Sequence, residues 1–475
     1  MTTLTRAIGL VLGTLGVAAS AQAATYVVTA KAQAFDAQLA RKVEAAGGTI
    51  TARLPQIGVA IVQSTDGAFR TRAAKIQGVR SVAQDIILQY EDPEAVNVAE
   101  PDFTNPPTSG DNDTRFDLQW GSRAVDVAGA WNAGHRGNGV RVAVLDSGIA
   151  CVHPDIQPNL LLAESFSFVA GEGPCLSRVN VFNHGSHTAG TIASPDNGIG
   201  TIGVAPEAKI IAVKVLSEVT GSGSFEGIIQ GIVYAADHGA DVINMSLGVR
   251  GGLPVNGPGA NDIRELVNAT KRAVKYARDQ NAITIVSAGN DGRDLDHDSS
   301  VQICDTDGCF NANLRAFPAQ LPNVLAISAL APEAWGNNLL GSNLDLPASY
   351  TNFGQSAISF GAPGGDFDYP GEENCTVAGL IRPCWVFDGV FAVGGYAQLT
   401  PGGPLFASYS WAAGTSMAAP HVSGIAALII GKHGGELAPS EVERILRASA
   451  DDLGKNGNDD FYGAGRVSAA NAVSN

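Results

Sequence analysis

Positive charge is scarce in this chain of 475 residues. Lysine and arginine number 30 against 46 aspartates and glutamates, for a formal net charge of −16. Nucleic-acid binding needs clustered Lys and Arg to neutralise phosphates, so that class of partner is excluded. Charge of either sign is sparse, at 16% against 45% hydrophobic residues, which favours a large core over extensive disorder. Beyond residue 23 no uninterrupted apolar run is long enough to cross a bilayer, so no membrane partner is expected after that point. Internal repeats and low-complexity tracts are absent. The six cysteines show no Cys-x-x-Cys or paired Cys/His spacing, which argues against a zinc site.

What is present begins with a processing signal. Arg6 supplies a positive start, "AIGLVLGTLGVAA" an apolar middle and "AQA" at Ala21–Ala23 a small-residue cleavage site. Residues 1–23 therefore read as a Sec-type signal peptide. A membrane anchor is the rival, but the apolar run is too short to span comfortably. No cysteine at the cleavage site could carry a lipid. The mature chain is expected to be secreted, into the medium or the periplasm. Cys151, Cys175, Cys304, Cys309, Cys375 and Cys384 are then expected as disulfides. Sequential pairing is expected, because each neighbouring pair brackets a short loop.

Residues 24–90 read as βαββαβ: "TYVVTA", "FDAQLARKVEAAGG", "TITARL", "GVAIVQS", "GAFRTRAAKIQG" and "VRSVAQDIIL". That is the order of a small ferredoxin-like α+β sandwich. This unit holds eight Lys/Arg and four Asp/Glu, about +4, whereas residues 91–475 hold 21 basic and 42 acidic residues, about −21. Opposite charge favours docking of the two parts. Residues 91–114, acidic and rich in Pro, Asn, Gly and Ser, read as an exposed and easily cut linker. Residues 115–475 repeat strand, loop and helix. "VRVAVLD", "KIIAVKVL", "DVINMSL", "AITIVSA" and "NVLAISA" are continuous apolar runs, as in a buried parallel sheet. The fold class is α/β, a doubly wound and mostly parallel sheet whose function gathers beyond the strand carboxyl ends. The segments Asp291–Asn313 and Gly364–Phe406 read as long surface loops.

Three short stretches can carry chemistry. "VAVLDSGI" puts Asp146 at a strand end, "NHGSHTAGTIA" puts His184 and His187 at a helix start, and "AGTSMAAP" puts Ser416 at another. Singly, each has an ordinary structural role: a turn-capping Asp, a core His, a helix N-cap Ser. Together they supply a nucleophile, a base and a carboxylate to orient that base. The Ser416 N–H at a helix N-terminus and Asn290, in "VSAGNDG", supply donors for a developing oxyanion.

These motifs resemble those of the subtilases, the subtilisin-like serine peptidases. The resemblance rests on "AVLDSGI", "NHGSHTAGTIA" and "GTSMAAPH" in that order and covers nearly all of Asp117–Val473. It extends to "GVAPEAKIIAVKVL", "DVINMSLG", "SYTNFG", "GAPGG" and "YGAGRVSAANAV". It implies an endopeptidase with Asp146, His184 and Ser416 as triad, Asn290 as oxyanion donor and His187 as structural. It also implies that Ser246, Leu247 and Gly248 and Gly221, Ser222 and Gly223 pair with an extended peptide, like an added strand. Main-chain recognition implies broad specificity. Ser287, Ala288 and Gly289 would line a roomy apolar pocket for the residue before the scissile bond. Asp155 and Asn197, with carbonyls of Pro195, Ile199 and Thr201, stand where many subtilases hold calcium. The rival is that Asp155 and Asn197 are turn residues. "DGRDLDHD" lacks the glycine and glutamate of an EF-hand loop and reads as a solvated acidic loop. Residues 24–90 resemble the family's inhibitor propeptide, with Tyr90 near the cleavage point, and a permanent accessory domain is the rival.

The function expected is a secreted, self-processing monomeric serine endopeptidase acting on proteins or peptides. The alternative is a catalytically inactive subtilase-fold protein that binds peptides, which would be expected to lack one of Asp146, His184, Asn290 or Ser416. An esterase is disfavoured, because "GTSMA" places Ala418 where Gly-x-Ser-x-Gly needs glycine.

Overall fold

The computed structural model describes residues 23–90, 93–98, 110–297, 300–305, 308–368, 371 and 373–474. The expected signal peptide, except residue 23, lies outside the described residues, as does part of the expected linker.

The first unit runs β1 (Ala24–Ala30), α1 (Ala37–Ala45), β2 (Thr49–Leu54), β3 (Val59–Ser64), α2 (Phe69–Ala73) and β4 (Val79–Gln84). Its antiparallel sheet has the order β2-β3-β1-β4. The Asp36 carboxylate caps α1 by accepting the Leu39 N–H at 2.7 Å. The period of two splits β3 between two cores. Ala60 and Val62 face Phe35, Val43 and Phe69, whereas Val59 and Ile61 join the apolar core of the large domain. Arg70 pairs with Asp262, and Arg80 Nε lies 3.3 Å from Glu265. The expected charge complementarity is thus realised at this contact, although exposed pairs of this kind contribute little energy.

"VRSVAQDIIL" is not one strand. The chain leaves the small sheet at Asp85 and continues as β5 (Ile87–Gln89), which pairs with the large domain instead. The Asp85 carboxylate holds the corner, accepting the Glu226 N–H at 3.0 Å. Nor is 91–114 wholly an exposed linker. Glu94–Val98 forms β6 and adds to an edge of the large domain. An edge strand offers a row of backbone donors and acceptors, and the short apolar-polar run "EAVNV" can meet it.

The large domain contributes β7 (Arg141–Asp146), α3 (His184–Ala193), β8 (Lys209–Lys214), β9 (Ser222–Ser224), α4 (Phe225–Asp237) and β10 (Val242–Met245). There follow α5 (Ala260–Asp279), β11 (Ile283–Ser287), β12 (Val324–Ala331), β13 (Val390–Ala397), β14 (Phe406–Ala413) and α6 (Thr415–Lys432). The main sheet has the central order β12-β11-β10-β7-β8, all parallel. Alternate residues of β7 enter opposite cores. Val142 and Val144 lie with α3 and α6, while Ala143 and Leu145 lie with α4 and α5. Burial on both faces is why these strands read as continuous apolar runs. After β8 the chain crosses to β10, on the other side of β7. Asp146 therefore ends the strand at which the winding reverses, where α/β sheets place their sites.

Cys151–Cys175 and Cys375–Cys384 are bonded as sequential pairing expects. Cys309 stands opposite Cys304 in a hairpin register, with the Cys304 side chain outside the description. The two segments expected as loops carry hairpins instead, at Ser300–Asp305/Gly308–Arg315, Asn374–Val377/Leu380–Pro383 and β13/β14.

Candidate active site

Asp146 and His184 meet at the carboxyl end of β7. His184 Nδ1 lies 2.8 and 2.9 Å from the two carboxylate oxygens of Asp146. Asn183 is the N-cap of α3, its side chain accepting the Ser186 N–H at 2.8 Å, so His184 is the first residue of the helix. Asp146 is buried, and its Oδ1 also accepts the Ser147 N–H at 2.6 Å. A carboxylate on Nδ1 fixes the tautomer in which Nε2 is the basic nitrogen. His187, one turn on, is buried. Its Nε2 faces the carbonyls of Val390 and Ser410 at 3.1 and 3.2 Å. Burial, then the neighbouring His184, pushes its pKa down to about 3, so this ring stays neutral.

Ser416 is not the helix cap that its position at the mouth of α6 suggests. Gly414 is the N-cap residue and no side-chain cap bond is made, so Ser416 is the second helical residue. Its Oγ instead donates to the Ser246 carbonyl at 3.3 Å, while Ser246 Oγ donates to the Ser416 carbonyl at 2.8 Å. The proline inside α6 explains the second bond. Pro420 has no N–H for the carbonyl four residues back, and Ser246 takes that acceptor. Among the described residues no hydrogen bond joins His184 Nε2 to Ser416 Oγ.

Asn290 follows β11 and reaches the same helix start. Its Oδ1 accepts the Thr415 N–H at 2.9 Å and the Thr415 hydroxyl at 2.7 Å. One orphan N–H of α6 is satisfied this way. Two donors on Oδ1 also fix which end of the amide is oxygen, so Nδ2 is the donor end. Thr415, unmarked in the sequence reading, accepts the Gly289 N–H at 3.0 Å as well. Ser287, Ala288 and Gly289 are thereby held at the end of β11, with Asn352 Nδ2 donating to the Ala288 carbonyl at 2.9 Å. Gly289 has φ +99°, and a Cβ there would lie 2.5 Å from Asn352 Nδ2.

Between these elements runs a groove that the chain itself occupies. β5 pairs antiparallel with β9 in the register Ile87 with Ser224, Leu88 with Gly223 and Gln89 with Ser222. Tyr90 N–H donates to the Gly221 carbonyl at 3.3 Å, and Tyr90 is buried. On the far side the pairing falls one step beyond Ser246, Leu247 and Gly248. Tyr90 bridges Val249, and the Arg250 N–H reaches the Gln89 carbonyl at 3.4 Å. Past the groove, β6 pairs with β14 from Val98 opposite Tyr409 to Glu94 opposite Ala413, three residues before Ser416. The sequence reading missed this second strand.

The expected calcium residues are also gathered. Asn197 Nδ2 lies 3.1 Å from Asp155 Oδ1, and Thr201 N–H donates to Asp155 Oδ2 at 2.8 Å. Ile199 N–H donates to the Asn197 side-chain oxygen at 3.0 Å. Pro195 is buried beside them. Two partners were not foreseen. Tyr409 Oη donates to Asp155 at 3.0 Å, and Asp113, buried, accepts the Asn197 N–H at 3.3 Å. Burial pushes Asp155 up to about 7 and Asp113 up to about 8. Asp111, Asp113 and Asp196 further bring three carboxylates within 4.8 Å of one another.

A doubly wound sheet with a carboxylate–imidazole pair at its reversal point and a serine at a helix mouth fits the serine hydrolases built on an α/β fold. The comparisons make the class particular. Residues 137–465 match the subtilase family, and the chain belongs to it. It is 31% identical over 326 residues to an intracellular serine protease of Paenibacillus polymyxa, covering 69% of this chain and 75% of that one. It is 31% identical over 356 residues to subtilisin E of Bacillus subtilis (strain 168), covering 75% and 71%. Among solved structures, it is similar in fold to fervidolysin from Fervidobacterium pennivorans. The TM-score is 0.65 at 24% identity, over 96% of this chain and 61% of that one. It is a serine endopeptidase that acts on protein substrates.

Proposed function

We propose that this subtilase is exported by residues 1–23, held inactive by residues 24–90 and freed by cutting itself near the start of the 91–114 segment. Residues 115–475 are then the catalytic domain of the mature monomeric enzyme, in the medium or the periplasm. No helix among the described residues is long and apolar enough to cross a membrane.

In the reaction His184 removes the Ser416 proton as Oγ turns from the Ser246 carbonyl and attacks the substrate carbonyl. Asp146 holds the resulting imidazolium in place. Asn290 Nδ2 and the Ser416 N–H bind the oxyanion. His184 returns the proton to the leaving amine, and water then hydrolyses the acyl-enzyme through the same base. Substrate lies along Gly221–Gly223 and the segment beginning at Ser246, in the manner of β5, with the residue before the cut against Ser287–Gly289. Pairing through backbone supports broad specificity.

The observation that carries the reading is the placement of two strands of the chain itself. Ile87–Gln89 pairs with Ser222–Ser224, and Glu94 stands opposite Ala413, three residues before Ser416. We place the first cut between Tyr90 and Glu94. The opposite charges of the two units support the inhibitory docking. Calcium fits the Asp155 site. Its ligand atoms would be oxygens, the Asp155 carboxyl is buried where ionisation is costly, and a bound dication would offset that cost. Gly200 leaves the space, since a Cβ there would meet Tyr409 Oη and Asp155 Oδ2. Asp155, Asn197 and the carbonyls of Pro195, Ile199 and Thr201 would hold the ion, which would stabilise the fold.

A fluorophosphonate probe tests the assignment. Purified mature enzyme should stop hydrolysing peptide and carry one adduct, on Ser416, and thiol reagents should leave activity intact. Full activity after exposure to the probe, or an adduct elsewhere, would overturn it.

A further inference from the structure

Lys214 is wholly buried at the end of β8, directly opposite Asp146 in the sheet register. A buried ammonium requires partners. Its Nζ lies 2.8 Å from Glu172 and 3.5 Å from Glu218, whose side chains are 17% and 4% exposed. Neither carboxylate stops there. Glu172 accepts the Ser217 hydroxyl at 2.6 Å and the Glu218 N–H at 3.0 Å. Glu218 accepts the Ser177 hydroxyl at 2.6 Å. Despite its burial, Glu172 is held below the usual carboxylate range by Lys214, then by the Ser217 and Glu218 donors.

The loop gripped in this way is the support of the substrate strand. Val215 and Leu216 N–H groups both donate to the Asp146 carbonyl, at 2.9 and 3.1 Å. Ser217 N–H donates to the Ser222 carbonyl at 2.8 Å, and Gly221 N–H to the Ser217 carbonyl at 2.9 Å. Gly221–Ser224 is the edge against which β5 pairs. Glu172 itself comes from a loop tied back by the Cys151–Cys175 disulfide and by the Ile149 N–H on the Pro174 carbonyl at 3.0 Å. A covalent tether thus fixes the acid, the acid fixes Lys214 and Ser217, and Ser217 fixes the edge strand.

We propose that Glu172 and Lys214 are positioning residues for the substrate strand, setting the height of Gly221–Ser224 relative to Asp146 and His184. None touches the reacting atoms. The inference rests on the reading of this groove as the peptide track, and it assigns a specific cost. Removing the Glu172 charge should loosen the strand and weaken only substrates long enough to pair with it.

The test compares Glu172→Gln with wild type on two substrates, an extended peptide p-nitroanilide reaching the Gly221–Ser224 edge and a single-residue acyl ester that does not. Glu172→Gln should raise KM for the extended peptide by roughly tenfold, as expected for one charge-assisted bond. It should leave kcat on that peptide and both constants on the ester within about twofold. Ser217→Ala removes the same link without stranding Lys214. It should show the same pattern at a smaller factor, and it serves where the charge variant does not fold. Equal losses on both substrates, or no loss on either, would overturn the proposal. Wild-type turnover of the two substrates is read first. Its absence would overturn the functional reading itself, and with it the inference, before any variant is compared.

Discussion

Thr415→Val should slow the enzyme through Asn290. Thr415 gives Asn290 Oδ1 two bonds, from N–H at 2.9 Å and from the hydroxyl at 2.7 Å. Valine keeps the first and removes the second. One neutral hydrogen bond is worth about 1 kcal/mol, so kcat should fall roughly fivefold with KM little changed. The Gly289 N–H also loses its acceptor at 3.0 Å, which should cost about 1–3 kcal/mol of stability. The ceiling is set by Asn290→Ala. Loss of the corresponding donor, measured in subtilisin, costs about 10²–10³ in kcat. The discriminating assay is the double-mutant cycle on active-site-titrated enzyme. With Asn290 already gone, Thr415→Val should cost under about twofold in kcat, because the two residues act as a unit. The same fivefold loss in both backgrounds, or an effect confined to KM, would refute this coupling.

Chelation and acid test other parts. Removing calcium should lower the melting temperature, and resupplying it at about a hundred times Kd should restore about 2.7 kcal/mol. Asp155→Asn should abolish that difference, and equal melts with and without calcium in the wild type would contradict the site. His187 has a folded pKa of about 3, below its ordinary 6.5, so its stability is present above that value and is lost as pH falls toward 3. At about pH 4.5 the neutral ring should cost about 3 kcal/mol. Buried Asp85 and Asp388, each raised to about 7, act in the opposite direction, so total stability alone does not isolate the histidine. Denaturant melts of Ser416→Ala beside Ser416→Ala/His187→Gln, at neutral and acid pH, cancel them. The two chains should differ in pH dependence by that amount, and parallel curves would refute the assignment.

The legible parts of the molecule were those where local sequence carries the physics. β7, β8, β10, β11 and β12 are apolar on both faces, and their runs show it. Asp146, His184, Asn290 and Ser416 sit at strand ends and helix starts, which is why short motifs could point to them. What escaped depends on distant partners. β6 is a strand because β14 offers it an edge, not because "EAVNV" demands one. The break between β4 and β5 is made by the Glu226 N–H, far along the chain. Lys214 looks like one polar residue in a strand until Glu172 and Glu218 close over it. Ser416 reads as a cap because hydroxyls often cap helices, yet Asn290 already satisfies the first helical N–H. The second acidic stretch reads as a loop in part because the hairpin Asn374–Val377/Leu380–Pro383 is short and stapled by Cys375–Cys384, and so needs little apolar patterning of its own.

The most direct measurement is the intact mass of the protein recovered from the cells and from their medium, wild type beside Ser416→Ala. The wild type should have lost its N-terminal residues through a cut between Tyr90 and Glu94 or further along the 91–114 segment, while the variant should keep the unit that begins at Ala24. Identical trimming of both chains, or normal peptide turnover by the purified variant, would contradict self-processing by Ser416.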